Sequence, residues 1–145
     1  MIELFKTAIT ILFLSFFAVC DLKKREVENG PIFILFLISV GFLVINFHET
    51  TWTEYVFTLI WLVVVTALYF MKFYGGADFK ILFVLCILFP LSFIQIFAGS
   101  LIFSMIYVAA AKIKIFQKWL ELEKGIPFLL PVFVSFSFLV LSNTI

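Results

Sequence analysis

Long apolar runs separated by short polar breaks make up this chain. Helical crossing of a hydrocarbon layer about 30 Å thick takes about 20 apolar residues, with about 17 near the lower limit. Runs of that kind stand at Leu4 to Cys20, Pro31 to Phe47, Trp52 to Phe73 and Pro127 to Leu141. A further uncharged run, Ile81 to Ala111, is too long for one untilted helix. Pro90 falls inside it, where a helix loses a hydrogen bond and tends to break, so two helices meeting near Pro90 are expected. The pattern predicts an all-α polytopic membrane protein of about six transmembrane helices, with residues 1–145 forming a single domain.

Composition supports the bilayer as solvent. Of 145 residues, 65% are hydrophobic and 13% charged, a balance that would expose too much apolar surface on a water-soluble domain of this size. Twenty-two phenylalanines point the same way, because lipid-facing helices accept rings that a soluble fold would have to hide. The net charge of +1 identifies no partner. The first apolar run lacks a basic leader and a small-residue cleavage site, so it reads as a retained helix. Cys20 and Cys86 lie in apolar runs without metal-ligand spacing, which predicts buried thiols, neither a disulfide nor a metal site.

The charges suggest an orientation, since Lys and Arg in short loops collect on the cytoplasmic side. With six spans, Lys23, Lys24, Arg25, Lys72, Lys80, Lys112, Lys114, Lys118 and Lys124 all fall on one side. The other side keeps Lys6 and the loop containing His48, Glu49 and Glu54. A single crossing over Ile81 to Ala111 would move four of those lysines outside, so six helices with both termini outside are expected. Between Ala111 and Gly125, Ile113, Phe116 and Leu120 are spaced by three and four among Lys and Glu. That spacing suits a short helix in the headgroup layer, or a solvated connector.

Two acids stand out at the membrane border. Asp21 follows the first apolar run, and Asp78 lies in FYGGADFK at the start of another. Ionisable groups at that depth are costly and therefore candidates for function. Singly, Asp21 could belong to a charge cluster with Lys24 and Arg25, and Asp78 could cap a helix beginning at Phe79. Together, on one membrane face, they allow more. Gly75 and Gly76 are expected to make a sharp bend free of side chains, letting a substrate backbone approach Asp78. Two carboxylates brought close share a proton, so one can take a proton from water while the other donates to a scissile carbonyl oxygen. This is aspartic-protease chemistry, and it requires no metal or other cofactor.

These residues resemble a known family. DLKKREVEN, Asp21 to Asn29, is similar to the pattern Asp-x-(Lys/Arg)-x-Arg-x-(Ile/Val)-Pro-Asn that follows the first helix of type IV prepilin peptidases and archaeal preflagellin peptidases. GGADFK, Gly75 to Lys80, resembles their Gly-x-Gly-Asp motif with its following basic residue, and GIPFLLP, Gly125 to Pro131, resembles the entry into their last helix. The resemblance implies a six-helix intramembrane aspartic endopeptidase with Asp21 and Asp78 as the catalytic pair. Gly75, Gly76, Ala77 and Lys80 would form the active-site loop, with Lys23, Arg25 and Asn29 in support. It further implies a pilin-like precursor as partner, cut at the cytoplasmic face of the membrane to release a short basic leader, with membrane lipid around the helices and no nucleic acid. Ala77 stands where bacterial members usually carry glycine, and Glu28 where they carry proline. The chain has no Cys-x-x-Cys pair and no room between Asp21 and Pro31 for the methyltransferase loop of the larger bacterial enzymes, which implies a peptidase-only form.

Other classes have less behind them. A Ser/His protease would need a histidine near Ser100, whereas the one histidine, His48, is expected in an outer loop. Ala98, Gly99 and Ser100 read instead as a site of close helix packing. A small proton-coupled transporter would also use intramembrane acids, but both acids lie at one face and no inverted repeat is visible. A non-catalytic relative that binds pilin-like helices is the remaining alternative.

Overall fold

The computed structural model describes residues 2–24, 27–47, 50–111 and 128–142. Six α-helices and no strands occur among them: α1 (Ile2–Lys24), α2 (Asn29–Ile45), α3 (Trp52–Phe70), α4 (Gly76–Leu88), α5 (Phe93–Ala111) and α6 (Leu129–Leu141). The fold is all-α, and α1, α3 and α5 are long and apolar enough to cross a membrane by length and composition. The apolar α2 has 17 residues, and α4 and α6 have 13 each. The interfacial helix expected between Ala111 and Gly125 falls outside the described residues, as do Arg25, His48 and the four lysines from Lys112 to Lys124.

Several boundaries differ from the apolar runs, for reasons that lie in the backbone. α1 continues past Cys20 to Lys24, so Asp21 sits within its last turns and not after it. α2 begins two residues ahead of Pro31, because proline is accepted throughout a first turn whose N–H groups have no partner within the helix. α3 opens on a capping box: Glu54 N–H donates to Thr51 Oγ1 at 3.4 Å, and Thr51 N–H donates back to Glu54 Oε2 at 2.8 Å. It ends at Phe70, not Phe73. There Phe73 N–H donates to the Leu68 carbonyl (3.1 Å) and Lys72 N–H to the Tyr69 carbonyl (2.9 Å), with Lys72 at φ +60°. This pair of bonds is the Schellman arrangement, with a lysine in the left-handed position usually held by glycine. The break expected near Pro90 is present, between Leu88 and Phe93.

The chain divides into two compact units. One holds Met1–Phe13 with Glu28–Phe93, the other Leu14–Val27 with Ile94–Ile145. In the first, α4 packs against α2 and α3. Its Ile81, Leu82, Val84, Leu85, Cys86 and Leu88 are all buried, while Lys80 is exposed and Phe83 and Ile87 are half-buried; α3 by contrast buries only Val65. A helix that buries most of its apolar side chains packs within the unit, whereas the exposed Leu59, Ile60 and Val63 of α3 suit contact with lipid. Cys86 is buried as expected; Cys20 is half-buried, and both are free thiols.

In the second unit, α5 and α6 approach closely at Gly99. A Cβ added there would overlap Ser135 Oγ and lie 3.1 Å from Ser135 Cβ. Ser135 is buried and donates to the Ile96 carbonyl at 2.9 Å. The small residues at 98–100 therefore mark helix contact, where a glycine lets a neighbouring backbone come near.

Candidate active site

Asp78 occupies the third position of α4, and the carboxylate turns back to the helix start: Gly75 N–H donates to Asp78 Oδ2 at 3.2 Å. Aspartate at this position satisfies an N–H that the helix cannot use, the acidic half of a capping box whose other half glycine cannot supply. α4 thus begins at Gly76, ahead of the expected Phe79. The sharp bend expected at the paired glycines is also corrected. Gly75 is extended (φ −74°, ψ 167°) and Gly76 is already helical, so the reversal of the chain falls on Lys72 instead. The glycines do leave space. Nothing lies within 4 Å of a Cβ built on Gly76, and one on Gly75 would meet Asp78 Oδ2 at 3.4 Å. Both glycines are exposed, while Ala77 and Asp78 are half-buried.

Aromatic rings fix this end of α4. Phe79 stacks on Tyr69 of α3 with centroids 4.6 Å apart and planes 26° from parallel, and it meets Phe83 at 5.9 Å. The Tyr74 hydroxyl makes a long bond to the Val65 carbonyl (3.5 Å), closing the connection between α3 and α4. Burial pushes the Tyr74 phenol up to about 12. Sequence reasoning did not single out Tyr69, Tyr74 or Phe79. Aromatic residues are common at membrane borders, and no spacing along the chain marks which of them will stack.

Lys80 and Asn29, proposed separately as loop and support residues, come together: Lys80 Nζ donates to Asn29 Oδ1 at 2.6 Å. Asn29 is the first residue of α2, so this bond joins the starts of α2 and α4. Next to it, an apolar groove of about 330 Å³ runs between Ile32, Phe33 and Phe36 of α2 and Phe79 and Phe83 of α4.

Asp21 belongs to the second unit. Its half-buried carboxylate accepts from Leu129 N–H, the first residue of α6, with Oδ2 at 3.1 Å. The orphan N–H groups and positive dipole end of a helix start suit a carboxylate. The partner is 108 positions away, beyond the reach of any local motif. Lys23, near the end of α1, is exposed, and Arg25 lies outside the described residues. Each aspartate thus accepts, on one carboxylate oxygen, a backbone N–H at the start of a helix. No group of three or more His, Cys, Asp or Glu able to hold a metal ion occurs among the described residues.

A family model described as the type IV leader peptidase family matches residues 8–142, a stretch that includes Asp21, Asp78 and all of α2 to α6. No curated protein and no solved structure matches the chain significantly.

Proposed function

The chain belongs to the type IV leader peptidase family, and from that premise we propose that Asp21 and Asp78 are the catalytic pair of an aspartic endopeptidase. It is a membrane peptidase of the kind that processes type IV pilin precursors. The observation that carries the assignment is the shared setting of the two acids, each fixed by a backbone N–H at a helix start. One carboxylate takes a proton from water, whose oxygen attacks the scissile carbonyl carbon, while the other donates a proton to the carbonyl oxygen. Collapse of the tetrahedral intermediate breaks the C–N bond, and a proton passes to the leaving amine. The open space over Gly76 supports approach of an extended substrate backbone beside Asp78. The one-sided distribution of Lys and Arg supports cleavage at the cytoplasmic face, where a short basic leader would be removed.

The test is processing of a co-expressed pilin-like precursor by membranes carrying Asp78→Asn, Asp21→Asn or both. An amide cannot take part in the proton exchange, so each single variant should abolish cleavage and the double variant should be no worse. Substantial cleavage by Asp78→Asn would reduce Asp78 to a helix cap. Absence of cleavage by the unaltered protein would point to a non-catalytic binder of pilin-like helices.

A further inference from the structure

At the end of the first unit remote from Asp78, where α4 finishes at Leu88, a cavity of about 190 Å³ opens. Glu3 and Lys6 of α1, Asn46 and Thr50 after α2, and Glu54 and Thr58 of α3 line it. Lys6 is unusual for an apolar helix. Its side chain is only 12% exposed, its ammonium pairs with Glu3 at 2.5 Å, and it lies 4.8 Å from the centre of the Phe89 ring. An ammonium has three N–H donors, which one carboxylate and one ring face do not exhaust.

The α2 and α3 residues offer acceptors. Glu54 Oε2 receives the Thr51 N–H and hydroxyl at 2.8 and 3.2 Å, which holds its carboxylate in place. Thr50 and Thr58 donate their protons to the Asn46 and Glu54 carbonyls, each at 2.8 Å, so their hydroxyl oxygens present lone pairs. The Lys6 ammonium, shared with Glu3, can add a phosphate oxygen to its remaining donors, and the Glu54 carboxylate with the amide and hydroxyl oxygens can accept a primary ammonium, which together complement a zwitterion of those two groups.

The cavity has an apolar neighbour. Ile2, Phe5 and Ile9 of α1 and Ile38, Gly41 and Ile45 of α2 wall a groove of about 550 Å³, and Phe42 borders both spaces. We infer that cavity and groove together bind one phospholipid of the ethanolamine headgroup class, with phosphate at Lys6, ammonium toward Glu54 and Asn46, and an acyl chain along the groove. A soluble zwitterion has no use for the groove. A choline headgroup, with no N–H, cannot donate to the oxygens.

The experiment is native mass spectrometry of the full chain in detergent, offered equal amounts of ethanolamine, choline and glycerol phospholipids with matched acyl chains. One ethanolamine lipid should be retained about tenfold over the others, the scale of one charge-assisted hydrogen bond set. Lys6→Gln should lose about tenfold of that retention. Gly41→Leu places a side chain into the groove, where nothing lies within 4 Å of an added Cβ, and it favours the helix. It should lower retention of the diacyl lipid while circular dichroism shows unchanged helix content. Equal retention of choline lipid, or unchanged retention by Gly41→Leu, would overturn the inference. So would displacement of the lipid by equimolar glycerophosphoethanolamine, which would identify a soluble ligand.

Discussion

Replacing Asp21 separates its structural role from its chemical one. In the folded chain the carboxylate accepts the Leu129 N–H at 3.1 Å, one of the donors that the first turn of α6 cannot satisfy internally. Asp21→Ala removes the acceptor and leaves a part-buried donor unpaired, a loss of about 1–3 kcal/mol. The favourable interaction with the helix dipole, about 0.3–1 kcal/mol, goes with it. Asp21→Asn keeps an oxygen of the same reach and forfeits mainly the charge, so its loss should be about 1 kcal/mol. Thermal unfolding in detergent should therefore rank wild type above Asn above Ala, whereas precursor cleavage should be absent from both variants. Equal stability of the two variants would show that the Leu129 bond does not hold α6. Cleavage by the Asn variant would show that Asp21 is an anchor for α6 and nothing more.

Four further substitutions test other parts of the structure. Gly76→Val adds a branched side chain in open space at the first residue of α4, so stability should stay within about 0.5 kcal/mol while cleavage collapses; Ala77→Gly should cleave at least as well as wild type. Normal cleavage by Gly76→Val would remove substrate from that surface. Lys72→Gly relieves a left-handed residue at the end of α3 and should raise stability by about 1 kcal/mol in the same melts, and a decrease would deny strain at that turn. Gly99→Ala forces a methyl group onto Ser135 and should destabilise by about 1–3 kcal/mol, whereas an unchanged melt would mean that α5 and α6 separate freely there.

How much could be read beforehand differs between fold and site. The membrane class, the all-α fold and the break at Pro90 follow from local facts: apolar run length, absence of charge and the missing N–H of proline. Asp21 and Asp78 stood out for the same kind of reason, because an acid at the edge of an apolar run is visible in one dimension. The turn before α4 was misplaced onto Gly75 and Gly76, since glycine permits a left-handed backbone but does not require it. Lys72 takes that conformation because the two C-terminal bonds of α3 together hold it there.

Partners distant along the chain were decided by tertiary structure alone. The Leu129 N–H on Asp21 lies 108 positions away, the Asn29 amide on Lys80 lies 51, and Ser135 against Gly99 joins two different helices. Nothing local encodes such pairs. They depend on which helix faces meet, and an apolar run nearly uniform around its circumference does not reveal which face it will bury. α4 shows this most clearly, with six buried side chains where it packs against α2 and α3, though its run looks no different from that of α3, which buries only Val65. The sequence by itself determined the membrane class and marked which acids lie beside apolar runs, because transfer into hydrocarbon depends on the composition of a single segment. Packing decided what holds those acids, because a hydrogen-bond partner requires a position in space that only the assembled helices supply.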